Sequence, residues 1–155
     1  MANSLPMVLA SNQSSVPITG SVTLTGGIPS GSNTIGNVGL VPATTGGLST
    51  YHLVSSASTN AANIKASAGQ LYGWYIYNNS ASPRKVAFHN SATTPTAGAG
   101  IFFTMVIPPT SAANVSFEMG IAFSTGIGIT IVTGLPDNDG NAVSINDVVL
   151  NLWYK

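Results

Sequence analysis

From His52 to Tyr154 the chain is a succession of short runs that favour extended backbone, each closed by a turn signal before a helix could form. The runs are His52–Ser56, Asn63–Ala66, Gln70–Asn78, Lys85–Asn90, Ile101–Ile107, Ala113–Glu118, Ile127–Thr133 and Asp147–Tyr154. They are rich in Val, Ile, Phe, Tyr and Trp, residues that fit a pleated surface, and are separated by breaks such as Asn-Asn-Ser, Thr-Thr-Pro-Thr, Pro-Pro-Thr-Ser and Pro-Asp-Asn-Asp-Gly. Nowhere does a long helical period carry caps at both ends. Ser144-Ile-Asn-Asp147 resembles a helix capping box, but the β-branched alternation that follows favours a strand. This pattern predicts an all-β fold, an antiparallel, jelly-roll-like β-sandwich over residues 51–155.

Alternation assigns faces within the runs. In "LYGWYIYNN" the set Leu71, Gly73, Tyr75 and Tyr77 is expected to lie opposite Tyr72, Trp74 and Ile76. In "VVLNLWYK" Val148, Leu150, Leu152 and Tyr154 share one face, and Val149, Asn151 and Trp153 the other. Several strands are apolar on both faces. A two-layer sandwich buries one face per strand, so the second is expected to meet another subunit.

Residues 1–50 have a different texture. No aromatic residue occurs there, and Gly, Ser, Thr, Asn and Pro dominate. Short β-favouring patches interrupt them: Met7-Val8-Leu9, Val16-Pro17-Ile18, Ser21 to Thr25, Thr34-Ile35 and Leu40-Val41. No patch is long enough to make a sheet alone. The segment is expected to be an extended arm that completes its hydrogen bonds on a neighbour, in preference to a flexible linker.

Charge is scarce. Only 5% of residues are charged, four basic and four acidic, and apart from His52 the first acid or base is Lys65. Ordinary domains carry about 25%. So few cations cannot form the basic stripe that nucleic acid requires. Zero net charge also removes the repulsion that keeps monomers apart, which implies that partners cover much of the surface. There is no cysteine, hence no disulfide framework. "MANSLPMVLA" lacks the basic start and long apolar core of a signal peptide, and Met119 to Val132 is too interrupted to span a bilayer. A soluble chain with no membrane partner is expected.

Little in the sequence points to catalysis. His52 and His89 have no carboxylate or second histidine at ligand spacing; His89 shares a face with Lys85 and Ala87, expected toward solvent or a subunit boundary. No nucleophile elbow surrounds any serine. The acids Glu118, Asp137, Asp139 and Asp147 are the available general acids and bases. Asp137 and Asp139 lie in Leu135-Pro-Asp-Asn-Asp-Gly-Asn141, which reads as a polar turn; a calcium loop is the sharper alternative, without the EF-hand spacing or its distal Glu. Gly126-Ile-Gly128 has no following lysine, so it marks a bulge or close packing and not a phosphate loop. Tyr72, Trp74, Tyr75 and Tyr77 could form a sugar-binding platform, but alternation splits them between two faces. No enzyme activity, cofactor or metal is expected.

The arm "LPMVLASNQSSVPITGSVTLTGG" resembles the N-terminal segment, of the form L-P-V-x-L-A-S-[DN]-Q-S-x-[VL]-P-V, of many tailed-bacteriophage structural proteins. "IPSGSNTIGNVGL" resembles a second phage module, P-x-G-x-N-x-I-G-x-V, and "NAANIKASAGQLYGWYIYNNSASPRKVAFHNSATTPT" is similar to a small β-sandwich that often follows. Such arms often carry an acid where Asn12 stands. The resemblance implies a virion location and a non-enzymatic structural role, either a capsid decoration (cement) protein or a tail or fibre protein that binds a host-surface glycan. A single short domain and an uncharged arm favour decoration. A homotrimer on the capsid surface, contacting the major capsid protein, is the expectation that follows. Leu5, Pro6, Val8, Leu9, Val16, Pro17, Ile18, Val22 and Leu24 would be the partner-binding residues of the arm.

Overall fold

The computed structural model describes residues 46–155 of the chain. Among them eight strands form: β1 (Ser49–Val54), β2 (Ala62–Lys65), β3 (Gly69–Asn78), β4 (Arg84–Asn90), β5 (Phe103–Ile107), β6 (Ser111–Phe123), β7 (Ile127–Val132) and β8 (Val148–Tyr154). Each falls on one of the eight sequence runs. β1 begins at Ser49, within the segment assigned to the arm, because Ser49 and Thr50 pair with Tyr154 and Trp153.

The pairing is nested and antiparallel throughout. β1 pairs with β8, β2 with β7, β3 with β6 and β4 with β5, as though one long hairpin had been rolled up. Two further ladders, β3 with β8 and β4 with β7, close the sheets β1-β8-β3-β6 and β2-β7-β4-β5. This is the jelly-roll order, as the punctuated strand pattern predicts.

The core lies between the sheets. Leu71, Ile76, Val148, Leu150 and Leu152 come from the first; Val86, Phe88, Ile107, Ile127, Ile129 and Ile131 from the second; none exposes any surface. Trp74 on β3 spans the gap, its ring 5.6 Å from Phe88, 6.2 Å from Phe103 and 5.4 Å edge-on from Phe117. Phe88 stacks on Phe103 at 4.5 Å. One end is closed by buried Asn78, whose Nδ2 shares its hydrogens among the carbonyls of Ser82, Pro108 and Ile107 at 2.9, 3.0 and 3.1 Å. Its Oδ1 accepts the Ser80 N–H. Among the described residues no buried side-chain polar atom lacks a hydrogen-bond partner, which is what makes a polar residue tolerable at that depth.

The expected face assignment for β3 needs one correction. Both of its ladders shift register between Leu71 and Gly73. The extra residue resets the alternation, so Leu71 joins Trp74 and Ile76 in the core while Tyr75 and Tyr77 stay outside. Period-two reading across a bulge inverts every residue on one side of it.

Truncating Phe88 to Ala removes the side chain that joins two aromatic neighbours at zero exposure. It is expected to cost about 3–5 kcal/mol, whereas Tyr75→Ala on the outside should cost under about 1 kcal/mol. Urea unfolding of the two variants checks the difference.

Candidate functional site

Packing two sheets together leaves two outer faces, and the chain treats them oppositely. On the second sheet the outer positions are Lys85, Ala87 and His89 of β4, opposite Val132, Thr130 and Gly128 of β7. Every one of them is buried. The expectation that Lys85, Ala87 and His89 look toward solvent or a subunit boundary is therefore overturned: two loops of the same chain roof this face.

One roof is the β4–β5 connection. His89 Nδ1 lies 3.1 Å from the Gly100 carbonyl and Nε2 lies 2.9 Å from Thr130 Oγ1. A carbonyl can only accept, so Nδ1 carries the proton and Nε2 accepts from the Thr130 hydroxyl. Asn63 Nδ2 donates to the Ser91 carbonyl at 2.9 Å. A Cβ on Gly128 would sit 3.1 Å from the Pro95 ring, so the proline lies directly over that glycine, the close-packing role expected of Gly126-Ile-Gly128. A hollow of about 260 Å³ opens here, walled by Ser91, Thr93, Thr94 and Pro95 with His89 at its edge. Both imidazole nitrogens are already engaged, so this histidine is a structural tie.

The second roof is the β7–β8 connection. Lys85, 1% exposed, donates from Nζ to the Pro136 carbonyl, and Asp137 Oδ1 stands 3.6 Å away. Asp139 Oδ2 accepts the Gly134 N–H at 2.7 Å, and its other oxygen accepts from Asn141 Nδ2. These contacts are those of a polar turn. Asp147 accepts from Arg84 Nε and from the Ser144 N–H, at 2.8 and 2.9 Å. The Ser144–Asp147 motif thus makes its capping bond in a turn leading into β8. The acids available for general acid–base work are divided among separate tasks, and Glu118 stands exposed on β6. Among the described residues no three His, Cys, Asp or Glu side chains come together as a metal-ligand set.

Among the described residues, the outer face of the first sheet carries no such roof of strand-connecting loops. Because Val148, Leu150 and Leu152 point inward, Val149, Asn151 and Trp153 point out, and ladder partners share their side. Three rows follow. Val54, Val149, Tyr77 and Ala112 form an apolar row; His52, Asn151, Tyr75 and Asn114 a polar one; Thr50, Trp153, Gly73 and Ser116 a third. No Asp, Glu, Lys or Arg stands at these positions. Val54 is 47% and Tyr75 41% exposed. His52 Nδ1 lies 2.9 Å from Asn151 Oδ1. A Cβ on Gly73 would meet Trp153 Cε3 at 3.2 Å and the Val115 carbonyl at 2.4 Å, so glycine is what lets the indole lie across β3.

Of the aromatic set singled out in the sequence, Trp74 is in the core, Tyr72 is half-buried at the bulge with its hydroxyl donating to Gln70, and Tyr75 and Tyr77 lie on this face. Trp153 joins them from β8, a neighbour that spacing along β3 could not disclose. The arm residues Leu5, Pro6, Val8, Leu9, Val16, Pro17, Ile18, Val22 and Leu24 lie outside the described residues.

No family model matches this chain, and no curated protein matches it. Among solved structures, a chain described under "Bacillus endospore appendages form a novel family of disulfide-linked pili" aligns over 76% of this chain and 96% of its own, at 15% identity and a TM-score of 0.38. The class defined by the fold is an antiparallel jelly-roll sandwich with one outer face sealed by its own loops and, on the other, three rows of uncharged side chains.

Burial holds the His89 pKa below its ordinary 6.5, against weaker opposing pulls from the Gly100 and Ala99 carbonyls. The unfolded chain therefore takes up this proton first, and stability falls as pH drops below 6.5. For Asp147, burial opposes the charged form, but the Ser144 N–H and Arg84 outweigh it and hold the carboxyl below 3.8. Its contribution is present above pH 3.8 and disappears as pH falls through the folded-state value. His89→Gln, which keeps a donor and an acceptor, should flatten the upper window and leave the lower one; urea titrations across both windows test this.

Proposed function

We propose that this chain is a non-enzymatic structural protein of a tailed-bacteriophage virion, a decoration protein that cross-bridges and stabilises the capsid. The observation that carries this reading is a sheet face whose three central rows hold no charged residue, on a domain whose opposite face is sealed, joined to an uncharged N-terminal segment that resembles phage virion arms. A protein that works by coating a shell needs adhesive area and no reacting groups, and Asp137, Asp139 and Asp147 serve its own turns and ties. The mechanism is mechanical. Leu5, Val8, Leu9, Val16 and Ile18 in the arm would bury apolar surface against the major capsid protein or sister chains. At about 25 cal/mol per Å² a few such side chains supply several kcal/mol per copy. Attachment as a homotrimer multiplies that by avidity, and the shell resists the pressure of packaged genome.

A second reading, a tail or fibre component that binds host-surface glycan, draws on the same face. Tyr75, Tyr77 and Trp153 with Asn114 and Asn151 beside them combine ring faces with amide donors and acceptors, a chemistry suited to sugars.

The test is binding of the full-length protein, and of a form lacking Met1 to Gly20, to expanded capsids devoid of it. Stoichiometric uptake and a higher shell melting temperature with the full chain, both lost on truncation, are expected. If neither form binds, decoration is wrong, and the sandwich is to be tested against host glycans.

A further inference from the structure

We infer that the β4–β5 connection is a proton-operated flap: when the His89 imidazole takes up a second proton, residues 91–101 lift from the outer side of β4 and β7 while the two sheets stay packed. This goes beyond the structural-protein reading and stands or falls without it.

The tie that holds the flap suits only the neutral ring. Nδ1 donates to the Gly100 carbonyl at 3.1 Å, and Nε2 accepts from Thr130 Oγ1 at 2.9 Å. His89 is 1% exposed and Thr130 not at all. Among the described residues the imidazole is the one side-chain partner of that hydroxyl. A second proton makes Nε2 a donor, so the Thr130 oxygen must accept and its own proton is left buried with nothing to bind. That loss adds to the cost of an unpaired charge at the same depth.

No carboxylate stands ready to offset the charge. The loop itself, from Ser91 to Phe102, contains no titratable side chain. β7 presents Gly128, Thr130 and Val132 on this side, and β5 presents Thr104 beside Ala87. β4 contributes Lys85 and β2 contributes Asn63 and Lys65, so the fixed charges on these strands are further cations. Across from them, Asp137 stands by Lys85 Nζ, and Asp139 is bound to the Gly134 N–H and to Asn141.

The flap is also built to move alone. Pro95 rests over Gly128, Asn63 holds the Ser91 carbonyl, Gly98 backs onto the Asn138 carbonyl, and the Phe102 N–H closes the stem on the Phe88 carbonyl at 2.7 Å. Beside these few contacts lies the hollow of about 260 Å³, which brings water to the edge of His89. Gly98 and Gly100, with φ of 79° and 60°, supply turning points. Segments with so few apolar contacts open at lower free energy than the core. Once lifted, the imidazole is in water and protonates at its ordinary 6.5; in the closed form burial holds it lower. The open population therefore gains up to about tenfold for each pH unit below that value, until the closed ring titrates too. Opening uncovers Ala87, Gly128 and Thr130, a strip of sheet that neutral pH hides.

The experiment is amide hydrogen exchange by NMR on the full-length chain, corrected for the chemical exchange rate at each pH. Phe102 N–H reports the flap, and Val148 N–H, bound to buried Ser55 Oγ, reports the sandwich. Phe102 protection is expected to fall by up to about tenfold per pH unit below 6.5 while Val148 protection holds. His89→Gln should remove that dependence, and His52→Gln, at the other histidine, should leave it. Thermal midpoints establish that both variants are folded. The His89 ring carbons are titrated in the wild type as well, so the result stands even where His89→Gln does not fold: their titration must track the loss of Phe102 protection. Parallel loss at Phe102 and Val148, a Phe102 response that a folded His89→Gln retains, or a ring titration unconnected with Phe102 overturns the inference.

Discussion

A two-layer sandwich has four faces, and stacking the layers buries only two. The strands here are too apolar for the remaining pair to be left to water without consequence, so the structure depends on how each outer face is handled. Over β4 and β7 the solution is internal. The chain leaves β4, crosses its outer side and returns as β5, and does the same between β7 and β8. Both crossings are held by side chains pointing up from the sheet: His89 and Asn63 grip one loop, Lys85 the other. β4 and β7 thereby become strands buried on both sides, which explains the near-continuous apolar character of β7 and the glycine beneath Pro95.

Polar groups in that covered layer are there as fasteners. A lysine ammonium is costly to remove from water, and it is tolerated only where an acceptor waits. The Pro136 carbonyl and the Asp137 carboxylate provide one, at the point where the roof must be pinned. His89 stays neutral because its environment supplies one acceptor and one donor, which matches the neutral imidazole and not the doubly protonated ring. Arg84 and Asp147 brace the entry to β8 in the same way, with the carboxylate also holding the Ser144 turn.

The strands themselves were legible in the sequence because a β-run and its turn are local. Eight runs and their breaks carried enough information for the jelly-roll class. Three features were not local and could not be read. The bulge at Tyr72 moved Leu71 into the core, since alternation has no marker for an inserted residue. The roofing loops look like ordinary polar connections, and nothing in Thr-Thr-Pro-Thr says that its proline will sit on Gly128, some thirty residues downstream. Trp153 shares a face with Tyr75 and Tyr77 only because β8 is inserted between β1 and β3. The candidate face was therefore half visible, as an uncharged aromatic stretch, while its true membership required the strand order.

The same scarcity of charge has different consequences in the two halves of the chain. Within the sandwich, several of the few charges are spent on internal ties: Arg84 with Asp147, Lys85 with the Pro136 turn, and Lys155 on the Gly46 and Gly47 carbonyls. What is left over for the three central rows of the first sheet's outer side is amide, hydroxyl, aromatic and aliphatic surface, with Glu118 exposed beyond them on β6. Such a surface gains little from long-range steering and is insensitive to salt. Contacts made on it depend on burial and on short-range hydrogen bonds, so they favour slow association and durable attachment over rapid exchange.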